Sequence, residues 1–464
     1  MTTLEHPPFS SLPLRAELLQ ALQAVNYVEM SPVQAACAPA MLEGRDLLAQ
    51  AETGSGKTAT FALGILNKLD TEQFHTQALV ICPTRELSEQ VAAEIRRLAS
   101  AIANTKVLTL CGGKPLHDQL VSLKRDPHVV VGTPGRLKKL LDMASLNIGR
   151  VDTLVLDEAD RMLDMGFHDD ILAILGFIDS DRQTLLFSAT YPQEIVGISR
   201  AIQKNTLEVH IEKENTTDQI EQVFITATDQ QKPDALLRAL GKYQPDTAII
   251  FCNRKSVCQT LYESLRQKGI SARPLHGDLE QRDRDEATIL FANKSLSYLI
   301  ATDVAARGLD IKSLAAVINY DLSPDPATHV HRIGRTGRAG EKGIAISLVT
   351  PNETRRVEAL EEYFDADMVF VELPGADKVG AQVAQPATAT LQISAGKKDK
   401  IRPGDIVGAL TADSGLTNDD IGKITVQAKV SFVAVDADKA TRALKTLTDG
   451  RIKRQKVKAR IVAS

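Results

Sequence analysis

The sequence predicts an α/β protein: two doubly wound parallel-sheet domains in tandem, followed by a small α+β domain. Three observations carry that expectation. Short apolar runs alternate with amphipathic stretches twice over, from about residue 10 to 210 and again from about 219 to 370. A glycine-rich loop follows the first apolar run directly, and an acidic cluster ends a later one. Past residue 390 the pattern changes to strand, helix, strand, strand, helix, strand. Buried strands that alternate with helices are joined by crossovers, and crossovers give parallel sheets covered on both faces.

In the first block LLAQ (47–50), ALVIC (78–82), VLTLC (107–111), HVVVG (128–132), TLVLD (153–157) and TLLFS (184–188) read as strands buried on both sides. Segments between them have helical spacing, as in SEQVAAEIRRLASAI (88–102). The polar stretch KENTTDQIEQ (213–222) reads as a connector. AIIFC (248–252), YLIAT (298–302), AAVIN (315–319) and AISLV (345–349) repeat the theme without a glycine loop of their own. PGADKVGAQVAQPATAT (374–390) is rich in Gly, Ala and Pro and reads as a second linker. LQI, PGDIVGALTA, KITVQ, VSFVAVD, DKATRALKTL and KVKARIV then supply the small domain. The expected boundaries are 1–212, 213–373, a linker at 374–390, and 391–464.

Composition narrows the function. A chain of 464 residues suggests about three domains. Its hydrophobic share of 43% is ordinary for a globular protein. No apolar run approaches the ~20 residues of a membrane span. The start, MTTLEHPPF, lacks the basic-then-apolar layout of a signal peptide, so a cytoplasmic location is expected. Cys37, Cys82, Cys111, Cys252 and Cys258 form no metal-type pair and are expected as buried free thiols. Net charge is −4, which announces no nucleic-acid binder. Residues 388–464, however, hold 15 Lys+Arg and 8 Asp+Glu, a basic appendage on an acidic body. Such a surface also aids solubility.

The chemistry lies in two strings. AETGSGKT (51–58) is a phosphate-binding loop, with Ala51 where the general pattern has Gly. Thr53, Gly54, Ser55 and Gly56 bring backbone N–H groups to phosphate oxygens at a helix start. Lys57 reaches the β and γ phosphates of ATP, and Thr58 offers a hydroxyl to Mg²⁺. DEAD (157–160) ends the run TLVL, which puts Asp157 at the carboxyl end of a buried strand, where ligands of parallel sheets sit. Asp157 is the second expected Mg²⁺ ligand, and Glu158 the group that positions or deprotonates the attacking water.

Further strings follow in order: NYVEMSPVQ (26–34), PTREL (83–87), TPGR (133–136), SAT (188–190), ATDVAARGLDI (301–311) and HRIGRTGR (331–338). With these the chain resembles the DEAD-box RNA helicases of superfamily 2 over nearly all of residues 9–350. The resemblance implies two RecA-like domains. NYVEMSPVQ is similar to the family's Q motif, with Asn26 where Gly is usual. Its Gln34 amide can read an adenine edge, and Phe9 or Tyr27 can stack on the base. Arg335 and Arg338 match arginine fingers, and Asp310 a ribose contact. Ser188 and Thr190 match the family's link between nucleotide state and domain closure.

The same resemblance implies RNA contacts at Thr84, Arg85, Gly113, Thr133 and Arg136 in the first block, and at Arg254, Gly277, Thr302 and Asp303 in the second. Contacts to backbone and 2′-OH give RNA preference without base sequence. KKDKIRPGDIVGAL (397–410) and DIGKI (420–424) resemble an RNA-binding domain of RRM-like fold carried by one bacterial branch of the family. That branch assists assembly of the large ribosomal subunit, so structured 23S rRNA is the expected partner. Lys397, Lys398 and Arg402 are candidate contacts there. Lys456, Lys458 and Arg460 alternate with Val457, Ala459 and Ile461 and are expected to share one strand face. Phe432 is the lone aromatic of VSFVAVD, so the usual base-stacking sheet platform is not expected. The expected activity is RNA-stimulated ATP hydrolysis that opens short RNA duplexes. A DNA-directed helicase and an ATP-gated RNA scaffold remain the alternatives; intact Lys57, Glu158, Arg335 and Arg338 weigh against lost catalysis.

Overall fold

The structure is a computed structural model that describes residues 7–51, 55–179, 181–191, 193–210, 220–306, 314–337, 342–373, 383, 385–412, 416–453 and 455–462. The chain divides into two compact units, Met1–Lys213 and Glu214–Ser464.

In the first unit, among the described residues, β1 (Leu47–Gln50), β2 (Ala78–Ile81), β3 (Val107–Leu110), β4 (Val129–Gly132), β5 (Thr153–Asp157), β6 (Gln183–Ser188) and β7 (Leu207–His210) form one parallel sheet. Its order is β3-β4-β2-β5-β6-β1-β7. All six strands expected from the apolar runs are present. β7 was not expected: it sits on an edge, and in LEVH only Val209 is buried. Apolar clusters cover both faces of the sheet, one around Phe61, Leu63 and Val91, the other around Leu137, Leu140 and Ile174. Alternate residues of each strand feed the two clusters, which is why these strands read as unbroken apolar runs.

The second unit carries β8 (Ile220–Thr226), β9 (Ala248–Phe251), β10 (Ala272–Leu275), β11 (Tyr298–Ala301), β12 (Ala316–Asn319) and β13 (Gly343–Val349) in a parallel sheet of order β10-β11-β9-β12-β13-β8. β8 begins inside the polar stretch read as a connector, because Ile220 and Val223 are its buried positions while Glu221 stays exposed. β10, ARPL, escaped the sequence pattern for its Pro274, which an edge strand tolerates.

The same unit ends in an antiparallel sheet of β14 (Thr388–Ile393), β15 (Ile421–Val426), β16 (Ser431–Asp436) and β17 (Ala459–Ile461), ordered β15-β16-β14-β17. β14 starts at Thr388, within the stretch read as linker; residues 374–382 and 384 of that stretch lie outside the described residues. One face of this sheet packs Leu391, Ile393, Val433 and Val435 on the helices Pro403–Thr411 and Ala440–Asp449. The other face packs on the parallel sheet's helical layer. Phe432 and Val462 join the cluster of Phe251, Leu290 and Phe291. Asn293 Nδ2 donates to Thr390 Oγ1 at 3.0 Å, and Thr388 Oγ1 donates to the Asn293 carbonyl at 2.7 Å. β17 is shorter than the final run suggested, and Ile461 is 38% exposed while Val462 is buried.

All five cysteines are buried and unbridged. Among the described residues no helix is long and apolar enough to cross a membrane.

Candidate active site and nucleic-acid surface

Strand order decides which loops meet. At the carboxyl edge of the first sheet, β3, β4 and β2 lie side by side, then β5, β6 and β1. The exits of β1, β5 and β6 carry the phosphate loop, DEAD and SAT. The exits of β2, β3 and β4 carry Thr84–Arg85, Gly113 and Thr133–Arg136. The two expected residue sets therefore occupy adjoining halves of one edge, an arrangement that chain order alone does not give.

Gly56 caps the helix Lys57–Lys68 with φ +101°, a conformation that L side chains rarely adopt. A Cβ there would also meet Gln34 Nε2 at 2.6 Å. Gln34 is buried, accepts from the Ser31 backbone N–H at 2.7 Å and donates to the Gly56 carbonyl at 3.3 Å. The Ser31 hydroxyl donates to the Ser55 carbonyl at 2.7 Å. The Q-motif helix Pro32–Leu42 is thus fastened to the phosphate loop. Asn26, where Gly was expected, holds φ +59°, a left-handed turn that Asn tolerates best among side-chain-bearing residues. Phe9 is buried and stacks on Tyr27 at 6.3 Å; the Tyr27 hydroxyl accepts from Arg97 at 2.6 Å, and the Arg97 guanidinium lies 4.9 Å from its ring centre. Both aromatics thus have packing partners within the protein.

Lys57 is buried and donates to the Ala51 carbonyl at 2.9 Å. Asp157 is buried with Oδ1 lacking any protein partner. Burial pushes its carboxyl up, against the pull of Lys57. A buried carboxylate oxygen left open, one strand from Thr58, fits a hard divalent cation such as Mg²⁺. Glu158 is buried at φ +54° and bound to Arg161 at 2.7 Å. Asp160 was not singled out from the sequence. Its Oδ2 accepts from the Thr190 N–H and hydroxyl, both at 2.9 Å, and from the Ala189 N–H at 3.2 Å. The Ser188 hydroxyl donates to the Thr190 carbonyl at 2.7 Å. DEAD and SAT are one hydrogen-bonded body. Thr53, Gly54, Asp310 and Arg338 lie outside the described residues.

On the other half of the edge, Thr84 caps the helix Arg85–Leu98 by accepting from Leu87 N–H at 3.2 Å. Thr133 stands at the N-terminus of the helix Pro134–Asp142. Arg136 reaches the Lys114 carbonyl at 3.2 Å, which joins the Gly113 loop (φ +73°) to the TPGR loop.

In the second unit the exits of β10, β11, β9 and β12 are consecutive neighbours. They carry Gly277, Thr302–Asp303, Arg254 and Asp321. Gly277 and Arg254 are exposed, and Lys255 binds Asp278 at 2.8 Å between two of these loops. Arg332, which the sequence reading passed over, is fully buried and holds the group together. It pairs with Asp303 through two contacts of 2.6 and 2.7 Å, with Asn253 Oδ1 at 2.7 Å and with the Asp321 carbonyl at 2.7 Å. The Asp303 carboxylate, expected on RNA, is therefore committed to Arg332, because a buried guanidinium needs a counter-charge. Arg335 follows two residues on and is buried.

In the terminal sheet Lys397, Lys398, Arg402, Lys456 and Lys458 are exposed. Arg460 instead donates to Gln392 Oε1 at 2.8 Å and reaches Glu286 at 3.3 Å, on the face that packs against the helicase sheet. Its expected place on RNA is taken by this contact.

Parallel-sheet units with these motifs define an ATP-dependent RNA helicase, and the comparisons agree. The DEAD/DEAH box helicase family matches residues 31–198, the helicase conserved C-terminal domain residues 231–340, and the DbpA RNA binding domain residues 390–461. The chain belongs to the DEAD-box ATP-dependent RNA helicases, and within them to the DbpA type. It is 48% identical to the ATP-dependent RNA helicase DbpA of Escherichia coli (strain K12), over 96% of this chain and 97% of that protein. It is 42% identical to the ATP-dependent RNA helicase CshA of Limosilactobacillus reuteri, over 80% of this chain and 74% of that protein. Among solved structures, S. cerevisiae Dbp5 bound to RNA and ADP BeF3 matches with a TM-score of 0.71 at 32% identity, covering 78% of this chain and 95% of that one. Mss116p bound to ssRNA and AMP-PNP matches with a TM-score of 0.73 at 26% identity, covering 88% and 86%.

Proposed function

We propose that this helicase hydrolyses ATP under RNA stimulation to open short RNA duplexes locally, and that it acts in the cytoplasm on structured 23S rRNA during large-subunit assembly. The observation that carries the reading is the shared edge of the first sheet, where ATP loops and RNA loops adjoin at β2 and β5. Residues 1–212 and 213–373 are the two helicase domains in this reading, and 391–464 selects the target. Lys57 supplies a fixed cation to the β and γ phosphates. Thr58 and Asp157 would hold Mg²⁺, which neutralises phosphate charge. Glu158 positions or deprotonates water, held in place by Arg161. Arg335 and Arg338 are assigned to charge on the γ phosphate. The RNA loops read backbone and 2′-OH, which every RNA shares. The exposed lysines of the terminal domain are then the source of discrimination, and the large-subunit target follows from the match of that domain to the DbpA RNA binding domain.

The test compares ATP turnover with RNA and DNA of one sequence, alongside strand displacement from duplexes of rising length. RNA should stimulate and DNA should not, and displacement should fall steeply with length. Equal stimulation by DNA, or displacement insensitive to length, contradicts the reading.

A further inference from the structure

Gln50 ends β1, where the ladder sets it level with Ser188 of β6 on one side and His210 of β7 on the other. These three strands exit to different places. β1 leads into the phosphate loop, β6 into the turn Ser188–Thr190, and β7 into the connector to the second unit. One side-chain amide spans the exits. Gln50 Nε2 donates to the Ala189 carbonyl at 3.2 Å, and Gln50 Oε1 lies 3.2 Å from His210 Nδ1. A carboxamide can do this because it carries a donor and an acceptor on one planar group; the second bond requires the proton on His210 Nδ1.

Neighbouring contacts keep the joint in register. The Ala51 N–H donates to the Ser188 carbonyl at 2.9 Å, and the Tyr191 hydroxyl donates to the Leu48 carbonyl at 2.8 Å. The Tyr191 ring lies 5.0 Å from that of His210. The Ala189–Thr190 turn is thus gripped by Asp160 of DEAD and by Gln50 at the root of the phosphate loop. His210, by contrast, has a side chain 56% exposed, so it is not needed to fill a core.

We infer that Gln50 is a positioning residue that ties the phosphate loop and the Ser188–Thr190 turn to the root of the connector, so that nucleotide binding in the first unit changes the affinity for RNA. The inference rests on the reading that ATP and RNA bind cooperatively.

The test measures RNA affinity of the full chain with and without AMP-PNP; the ratio is the coupling factor. Couplings of this kind commonly span about 5–150-fold. Gln50→Ala and His210→Ala should each bring the ratio down at least about fivefold toward one. AMP-PNP affinity without RNA should stay within about twofold. His210→Gln, which keeps an N–H donor for Gln50, should preserve the wild-type ratio. The double alanine variant should be no worse than the weaker single, because both act through one contact. Wild-type coupling in both single variants overturns the inference, as do additive losses or a matching loss of AMP-PNP affinity. Absence of coupling in the wild-type protein defeats the cooperative reading itself, which distinguishes the two failures.

Discussion

At Lys57 and Glu158 the site sets out a division between binding and chemistry. Lys57→Ala removes the cation fixed on the phosphates, and ATP turnover should fall at least about a hundredfold. Glu158→Gln keeps the shape and should still bind ATP and RNA, while turnover falls by about 10²–10⁴. Both are read by steady-state turnover beside equilibrium binding; normal turnover in either variant contradicts its role. His329 makes a pH prediction. It is buried beside Phe224, Phe364 and Arg332, with Nε2 on Gln222 at 3.0 Å and Nδ1 without a protein partner. Burial first, and the Arg332 charge second, push its imidazole down to about 3. The unfolded chain takes the proton near pH 6.5, which the folded unit refuses until about pH 3. The unfolded state binds more protons in that window, so stability falls as pH falls from about 6.5 toward 3. From pH 7 to 5 the contribution is about 2 kcal/mol, read as a lower urea midpoint that His329→Gln should not show. Residues that touch ligands through fixed motifs were legible in the sequence. Asp160 and Arg332 were not, because their work is to hold other residues, and that appears only once distant loops share an edge.

Among the elements, strands buried on both faces announced themselves and edge strands did not. β7 and β10 sit at sheet edges, where alternation with Glu208 and His210, or a proline, breaks the apolar signal. The expected linker at 374–390 failed at its end for another reason. Thr388 and Thr390 look like flexible polar residues in sequence, yet their hydroxyls bond Asn293 and Ser295 across a packed interface. The packed face also answers why Phe432 is alone: it fills an apolar cluster of the helicase sheet and is 5% exposed. Phe432→Ala should therefore destabilise the second unit by about 3 kcal/mol, read as a lower melting temperature. An unchanged melting temperature would mean that the face is not packed in solution. Deleting residues 388–464 would uncover that cluster, so truncation perturbs the helicase sheet as well as target choice.

For the molecule as a whole, the basic surplus of residues 388–464 is the feature that separates this chain from a generic RNA-dependent ATPase. Arg460, Lys453 and Lys439 are engaged by Glu286, Asp405 and Asp420. Lys397, Lys398, Lys456 and Lys458 remain exposed on the terminal domain. Charge reversal at these four tests target choice without uncovering the Phe432 interface. The direct measurement is ATPase stimulation by large-subunit ribosomal RNA fragments relative to unrelated hairpins, for wild-type and reversed protein at matched salt, since phosphate contacts weaken as salt rises. Wild-type protein should prefer the ribosomal fragments, and the reversed variant should keep generic stimulation while that preference disappears. A ratio left unchanged by the reversal would place specificity in the helicase sheets and contradict the account.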